Sequence, residues 1–414
     1  MISSAPKAAA ITGMGIVSCL GTDLATVSRS LETGRSGIVF DPERQALGFK
    51  SPLKAALPEI SPKAQGLSRK NLRTMCEPAL YAAVAARQAL NDAGFKSGDV
   101  QNPRCGIIFG NDSTIKAGVE SIDIAREYHE THYVGSGYVF RAMNSTITMN
   151  LAGLFGTQGA NWTVSAACAS GAHALGQALM LIRNGLQDVV IAGGAQETHW
   201  TSMASFDALN AFSSRFDRPE EASRPFDAGR DGLVPGGGGA CLIMESLENA
   251  MKRGAKIYAT IEGYGFSSGI GRTLSEPGST GAASAMDMAL KDAGLKPSDI
   301  DYINAHATST LSGDLAEAQA IYEIFGPNTP VSSTKSMTGH ECWMSGASEV
   351  IYTILMATSG FMAPNINFKT LSQNCPAINV VPETRPCRIK KALSNAFGFG
   401  GTNAALILNF EEKL

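Results

Sequence analysis

Short apolar runs, most of them bounded by glycine, recur along the whole chain: AAAITGMGIV (8–17), CGIIFG (105–110), DVVIAGG (188–194), GACLIMES (239–246), DYINAH (301–306) and NAALILNF (403–410). Runs of this kind predict strands. Between them lie segments whose apolar positions recur every three to four residues, notably Glu77–Ala93 (EPALYAAVAARQALNDA) and Gly281–Ala293, and these predict helices. Strands alternating with helices predict α/β layers with a largely parallel sheet. The 44 glycines cluster at the predicted strand ends, where strand-to-helix turns and close backbone packing call for them.

The pattern also repeats. ALNDAGFKSGDV (89–100) returns 200 residues later as ALKDAGLKPSDI (289–300), and each copy closes a helix and leads into an apolar strand. GGGGACLIME (236–245) and FGGTNAALIL (399–408) form a second pair in the same order. Two ordered matches predict a duplicated α/β unit, residues 1–255 and 256–414, with the extra length of the first copy inserted as loops and caps at 111–160 and 195–235.

Composition narrows the class. The chain has 414 residues, 44% hydrophobic, with 34 basic against 37 acidic side chains and a net charge of −3, a balance that does not suggest nucleic acid as a partner. MISSAPKAAAITGMGIVS (1–18) lacks a charged stretch followed by a long apolar one, and no run reaches the roughly 18 apolar residues of a membrane span. The expectation is a cytoplasmic enzyme without membrane attachment. Eight cysteines, with no CxxC pair and no regular spacing, read as small buried residues rather than a disulfide or zinc framework.

One cysteine stands apart. In TVSAACASGAHALG (163–176) a strand end meets a turn of small residues and then a helix, so Cys168 lies near a helix N-terminus whose free N–H groups favour a thiolate. The small neighbours leave room for an electrophile, and the Cys168 N–H is a candidate oxyanion donor. In the second copy, His306 ends a predicted strand in DYINAHATSTLSGD, and Lys335 and His340 lie in VSSTKSMTGHECWMSGASE. His129 and His132 lack the partners of a metal site and read as surface residues; His173 and His199 read as packing or hydrogen-bonding residues. The GMG at 13–15 lacks the GxGxxG spacing of a dinucleotide site.

Taken together, SAACASGAH, NAHATSTLSGD, STKSMTGHE and SNAFGFGGTNA resemble the four signature blocks of the elongating β-ketoacyl-acyl carrier protein synthases, most closely the class I enzymes of bacterial type II fatty acid synthesis. FDAGRDGLVPGGGG (226–239) and IEGYGFSSG (261–269) fit as well. The resemblance implies a thiolase fold, with duplicated halves in five αβαβα layers, and a decarboxylative condensation of an acyl thioester with malonyl-carrier. It implies that Cys168 carries the acyl group and that the N–H groups of Cys168 and Phe399 form the oxyanion hole. His306 and His340 would donate hydrogen bonds to the malonyl thioester, and Lys335 would pair with Glu317. It places Thr308 and Thr310 on the phosphopantetheine arm, Phe397 beside the nucleophile, Phe399 as a gate and Phe206 in the acyl pocket. It assigns Lys70 and Arg73 to the acidic carrier protein and Asn304, Glu349, Ser394 and Asn395 to a monovalent-cation site found in some relatives. No cofactor is implied beyond the carrier's phosphopantetheine, and a homodimer is expected.

The chain departs from that pattern in two places. HGTSTP becomes HATSTL, with Ala307 and Leu311, and GHSLGAAG becomes GHECWMSGAS, with Glu341, Cys342, Trp343 and Met344 after the second histidine. Glu341 is expected to turn away from His340 and accept hydrogen bonds from loop backbone or a neighbouring basic group. Among rival readings, a thiolase needs a second cysteine in its last glycine-rich block, and GFGGTN (398–403) has none. A non-catalytic chain-length partner is expected to lack the nucleophile. A discrete ketosynthase of a polyketide or aryl polyene pathway keeps every catalytic residue.

Overall fold

In the computed structural model, residues 8–411 are described, apart from 64, 97, 270 and 272. Residues 1–7 of the stretch read for a leader, and Ser97 of the first repeat, lie outside that set. Eleven strands form one hydrogen-bonded sheet: β1 (Ala9–Val17), β2 (Cys105–Gly110), β3 (Asn161–Val164), β4 (Val189–Gln196), β5 (Gly238–Ser246), β6 (Ala259–Ser268), β7 (Tyr302–Asn304), β8 (Pro330–Ser332), β9 (Asn379–Val380), β10 (Lys391–Gly398) and β11 (Thr402–Asn409). Their order is β9-β8-β7-β10-β11-β6-β1-β5-β4-β2-β3. Five of the ten neighbouring pairs are parallel and five antiparallel, so the sheet is mixed rather than largely parallel. The turn at 399–401 that joins β10 to β11 is too short for a crossover and forces the antiparallel sense there.

The predicted helices form as α1 (Glu77–Asp92) and α5 (Ser279–Ala293), accompanied by α2 (Thr146–Phe155), α3 (Ser170–Arg183), α4 (Trp200–Ala208), α6 (Leu311–Phe325) and α7 (Ser345–Ser359). Helices α1 and α2 cover the outer face of the β3-β2-β4-β5-β1 strands, and α5, backed by α6, covers the outer face of β6, β11 and β10. Between the two strand sets lie α3 and α7, which pack on both and on each other within the largest apolar cluster. The sets meet only where Ala9–Ile11 pair with Ala259–Ile261. These are the five αβαβα layers of the thiolase fold. The 111–160 insertion is largely helical and contains α2, whereas the 195–235 insertion is mostly loop around α4.

The sequence repeat has a physical counterpart. A Cβ on Gly13 or Gly15 of β1 would lie 2.2 and 2.0 Å from Ala89 O and Ala85 O of α1; on Gly263 or Gly265 of β6 it would lie 2.4 and 1.9 Å from Ala289 O and Ala285 O of α5. Only glycine lets helix and strand approach this closely. In each case the aspartate of the repeated DAG accepts from the strand: Met14 N–H to Asp92 Oδ2 and Tyr264 N–H to Asp292 Oδ2, both 2.9 Å.

The central helices approach each other in the same way. A Cβ on Gly346 of α7 would lie 2.4 Å from Ala172 N, and one on Gly171 of α3 would lie 3.0 Å from Ala347 N. The N-terminal turns of α3 and α7 therefore touch backbone to backbone. None of the described helices is long and apolar enough to cross a membrane.

Candidate active site

Cys168 follows β3 and immediately precedes the first turn of α3, behind Ala167, whose φ of +47° lies in the left-handed region that a Cβ disfavours. The strain is held by specific bonds. Ala166 N–H donates to Ser170 Oγ (2.8 Å), Ser170 Oγ donates to Ala167 O (2.6 Å), and Thr402 Oγ1 donates to Ala166 O (2.8 Å). Gly398, at the end of β10, presses on this elbow so closely that a Cβ would lie 3.0 Å from Ala167 Cβ. The elbow is thereby clamped against the 399–401 turn, and the backbone N–H groups of Phe399 and of Cys168 itself both favour the charged form of the Cys168 sulfur.

The helix-terminus expectation of a thiolate does not hold. Burial pushes the Cys168 thiol up to about 12, against the opposing pull of the Lys335 charge and the Phe399 N–H. Desolvation of an anion outweighs the partial charge of one helix end. The group is therefore held as a thiol, and two imidazoles flank it: reactive atoms of Cys168, His306 and His340 all lie within 4.8 Å of one another.

Each histidine is fixed through its backbone. His306, two residues past β7, donates its N–H to Glu317 Oε1 (2.9 Å), and Ala307 donates to Glu317 Oε2 (2.6 Å). His340 donates its N–H to Val234 O (2.7 Å) and accepts from Gly236 N–H (2.8 Å). Gly339 before it has φ +61°, and a Cβ there would lie 2.6 Å from Val234 O. The rings stand nearly perpendicular with centroids 5.2 Å apart. Burial, and after it the Lys335 charge, holds both imidazoles well below the ordinary histidine range, so both are neutral at pH 7. His340 Nδ1 lies 3.2 Å from Ser345 Oγ; with that hydroxyl as donor, the ring proton is assigned to Nε2.

Lys335 does not pair with Glu317. Its ammonium is bonded to Glu349 in the first turns of α7, both side chains being fully enclosed. Glu317 is already committed: besides the two backbone donors it accepts from Asn395 Nδ2 (2.9 Å). Burial raises Glu317 and Glu341 to about 7 and Glu349 to about 8, with Lys335 pulling all three back down. As expected, Glu341 turns away from His340, but its partners are hydroxyls of α7 rather than loop backbone or a basic group: Ser348 Oγ at 2.5 Å and Tyr352 OH at 2.9 Å. Asn304 Oδ1, Asn395 Oδ1 and Glu349 Oε2 are buried oxygens without a hydrogen-bond partner. Asn304 sits beside Ser394 in the β7–β10 register, and its Nδ2 lies 3.4 Å from Glu349 O. Asn304 and Glu349 meet on the α7 side of the sheet, whereas the Asn395 amide faces Met286 of α5 and Glu317 of α6; unpartnered buried oxygens are the kind of donor a hard cation takes.

A cavity of about 320 Å³ reaches this cluster, lined by Cys168, His306, His340, Glu317, Thr308, Thr310, Phe397, Phe399 and Phe206. The Thr308 and Thr310 hydroxyls are 3.0 Å apart. Phe206 stacks on Phe399, centroids 6.0 Å apart, and Phe397 lies 5.9 Å from the His306 ring. Lys70 and Arg73 are exposed at the short helix Arg69–Leu72, away from the cavity lining. His129 and His132 are exposed, whereas His173 bonds Tyr264 OH at 2.6 Å and His199 caps α4. All eight cysteines are free. Sequence reasoning missed the clamp residues Ser170 and Thr402 and the apolar wall of Met203, Phe212 and Trp343 behind Cys168. Ser170 was visible as a hydroxyl two residues after the cysteine; the wall comes from segments far apart in the chain and left no local signal.

A strained elbow carrying a thiol, two neutral imidazoles and paired backbone donors at the end of a cavity define an acyl-transferring condensing enzyme. Residues 7–250 match the β-ketoacyl synthase N-terminal domain and residues 258–369 its C-terminal domain; the chain belongs to the β-ketoacyl synthase family. It is 41% identical to the 3-oxoacyl-[acyl-carrier-protein] synthase 1 of Haemophilus influenzae over 96% of this chain and 97% of that protein. A crystal structure of a β-ketoacyl synthase from Burkholderia phymatum superposes with a TM-score of 0.93 at 36% identity, over 98% of this chain and all of the other. A ketosynthase in complex with a type II polyketide acyl carrier protein superposes at 0.86 and 28% identity, over 98% of this chain and all of that one. The reaction is the condensation of an acyl thioester with malonyl-acyl carrier protein, as in fatty acid elongation.

Glu341 gives a pH test. Its carboxyl titrates near 4.5 when unfolded and near 7 in the fold, so between those values the folded state keeps a proton that the unfolded chain releases. Its contribution to stability is fully present below the lower value and is lost as pH rises through the upper one. Glu341→Gln cannot titrate, so the thermal midpoint of the wild type should fall relative to that of the variant by several degrees between about pH 5 and about pH 8. A difference independent of pH would show that Glu341 is ionised throughout.

Proposed function

We propose that Cys168 is the acyl acceptor, that His306 and His340 are the hydrogen-bond donors for malonyl decarboxylation, and that Lys335 and Glu317 hold those histidines. The observation that carries this is the convergence of one thiol and two neutral imidazoles within 4.8 Å beside the Phe399 N–H. In the first half-reaction the thiol sulfur attacks the acyl thioester carbonyl and its proton passes to the departing carrier thiol, with a neighbouring imidazole as the relay. The N–H groups of Cys168 and Phe399 stabilise the tetrahedral oxyanion; one such donor lowers the barrier by about 3–4 kcal/mol.

In the second half-reaction, malonyl-carrier loses carbon dioxide, and its thioester oxygen becomes an enolate held by N–H groups of His306 and His340. Neutral donors serve here because they stabilise the oxyanion without protonating it outright. The enolate carbon then attacks the Cys168 thioester, a carbon–carbon bond forms, and the sulfur leaves as a thiolate that takes a proton from solvent and returns to the thiol. The Lys335–Glu349 pair keeps a positive charge near both rings, opposing their protonation. Thr308 and Thr310 receive the pantetheine arm, and Phe206, Phe397 and Phe399 bound the acyl side. This chemistry needs no cofactor beyond the carrier's phosphopantetheine. A monovalent cation at Asn304, Ser394, Asn395 and Glu349 would brace the layer beneath the histidines, without touching substrate.

Two assembly features complete the reading. Lys70 and Arg73 meet the acidic carrier. Edge strand β3, which ends the sheet, pairs with its copy in a homodimer; support comes from its exposed Trp162, which shares a surface hollow with Met143 and Met149.

Cys168→Ala is expected to abolish both condensation and the acyl-enzyme mass adduct. Cys168→Gln, whose amide imitates the acylated cysteine, should lose condensation and keep malonyl-carrier decarboxylation; an acyl adduct on a peptide without Cys168 would sink the assignment. Lys70→Glu with Arg73→Glu should raise KM for acyl-carrier about tenfold and spare slow turnover of acyl-coenzyme A analogues, whereas equal losses on both would argue against a docking role. Sedimentation at micromolar concentration should give twice the single-chain mass, and the single-chain mass would contradict the dimer.

A further inference from the structure

We propose that Trp343 sets the upper length of the acyl chain that Cys168 can hold, so that the acyl groups this enzyme elongates are short; the inference rests on the reading of Cys168 as the acyl acceptor. The two sides of the sulfur differ in chemistry. On one side stand Thr308, Thr310 and Glu317, which suit a polar arm. On the other, Cys168 belongs to an apolar cluster with Met203, Phe212, Leu233, Cys342 and Trp343. A hydrocarbon chain attached to Sγ has to grow into that cluster, because burying it among the polar groups would strip them of solvent without replacing their bonds.

The cluster is already full. The cavity reaching Cys168 extends along Phe206, Ala211 and Leu233, and its lining stops short of Met203, Phe212 and Trp343, which close it behind Phe206. Trp343 is the largest of these, only 5% exposed, with its ring 6.3 Å from that of Phe206. Phe206 is half-buried and can turn toward the cavity. Trp343 has nowhere to retreat. Its carbonyl is seated between the nucleophile helix and β4: a Cβ on Gly171 would lie 3.0 Å from Trp343 O, and one on Gly194 2.8 Å. Cys342 before it is held at φ +46°, and Met344 after it is buried in the central layer.

The indole Nε1 is buried without a partner. The ring is therefore held by packing alone and acts on substrate by its bulk. Its position is inherited from the backbone contact that sets the nucleophile, so the distance from sulfur to stop is built into the fold.

The test measures kcat/KM for condensation, together with intact-mass acylation of Cys168, over acyl-carriers from acetyl to palmitoyl. The wild type should prefer butyryl to decanoyl by at least about tenfold, as a hydrophobic pocket discriminates by that much for a methylene it cannot accommodate. Trp343→Ala should raise the decanoyl-to-butyryl ratio by at least about tenfold. Trp343→Phe, a milder change that keeps the cluster filled, should raise it by a smaller factor. A wild type that takes palmitoyl as readily as butyryl would overturn the proposal, as would a Trp343→Ala or Trp343→Phe profile identical to the wild type's. Failure of every acyl-carrier to acylate Cys168 would overturn the assignment of the nucleophile itself, and the length stop with it.

Discussion

The contact on which the site depends is the one between two helix beginnings. Gly171 of α3 and Gly346 of α7 let the first turns of these helices meet without side chains between them. Cys168 lies two residues before one helix, and His340 lies five residues before the other, ahead of the short turn Cys342–Met344, so the spacing of thiol and imidazole is set by backbone packing rather than by flexible side chains. Packing of that density leaves little freedom for slow drift, which suits a site where an error of about 1 Å costs about two orders of magnitude in rate.

Around that contact the electrostatics follow from burial. Lys335 is the cation shared by three enclosed carboxylates, Glu317, Glu341 and Glu349. It is bonded to one of them, while the other two are satisfied by backbone, amide and hydroxyl donors. The arrangement keeps a positive charge beside His306 and His340 while denying them a carboxylate partner of their own. A histidine hydrogen-bonded to an aspartate is pulled toward the charged form; these two are pushed the other way.

How much of this could be read in advance depended on whether the signal was local. The Cys168 elbow was legible because small residues between a strand and a helix announce a tight turn, and the repeated DAG was legible because both copies do the same job against a glycine strand. Strand direction was not, since alternating strands and helices look alike whichever way the central strands run. Nor was the partner of Lys335: both Glu317 and Glu349 lie on nearby helices, and only the commitment of Glu317 to the backbone of His306 and Ala307 decides between them. The thiolate expectation failed for a related reason. A helix terminus can be seen in a sequence, but the completeness of burial at that point cannot.

Phe399 divides its parts between two kinds of motion. Its backbone lies between Gly398, seated against the Cys168 elbow, and β11, whose Thr402 hydroxyl bonds Ala166 O, whereas its ring is only half-buried and, among the described residues, stacks on Phe206. Gly400, with φ +74°, follows at once. A side chain can rotate about its first torsion in nanoseconds or less while its amide stays fixed. The ring that lines the cavity can thus swing while the amide beside Cys168 stays in place, so two parts of one residue move independently.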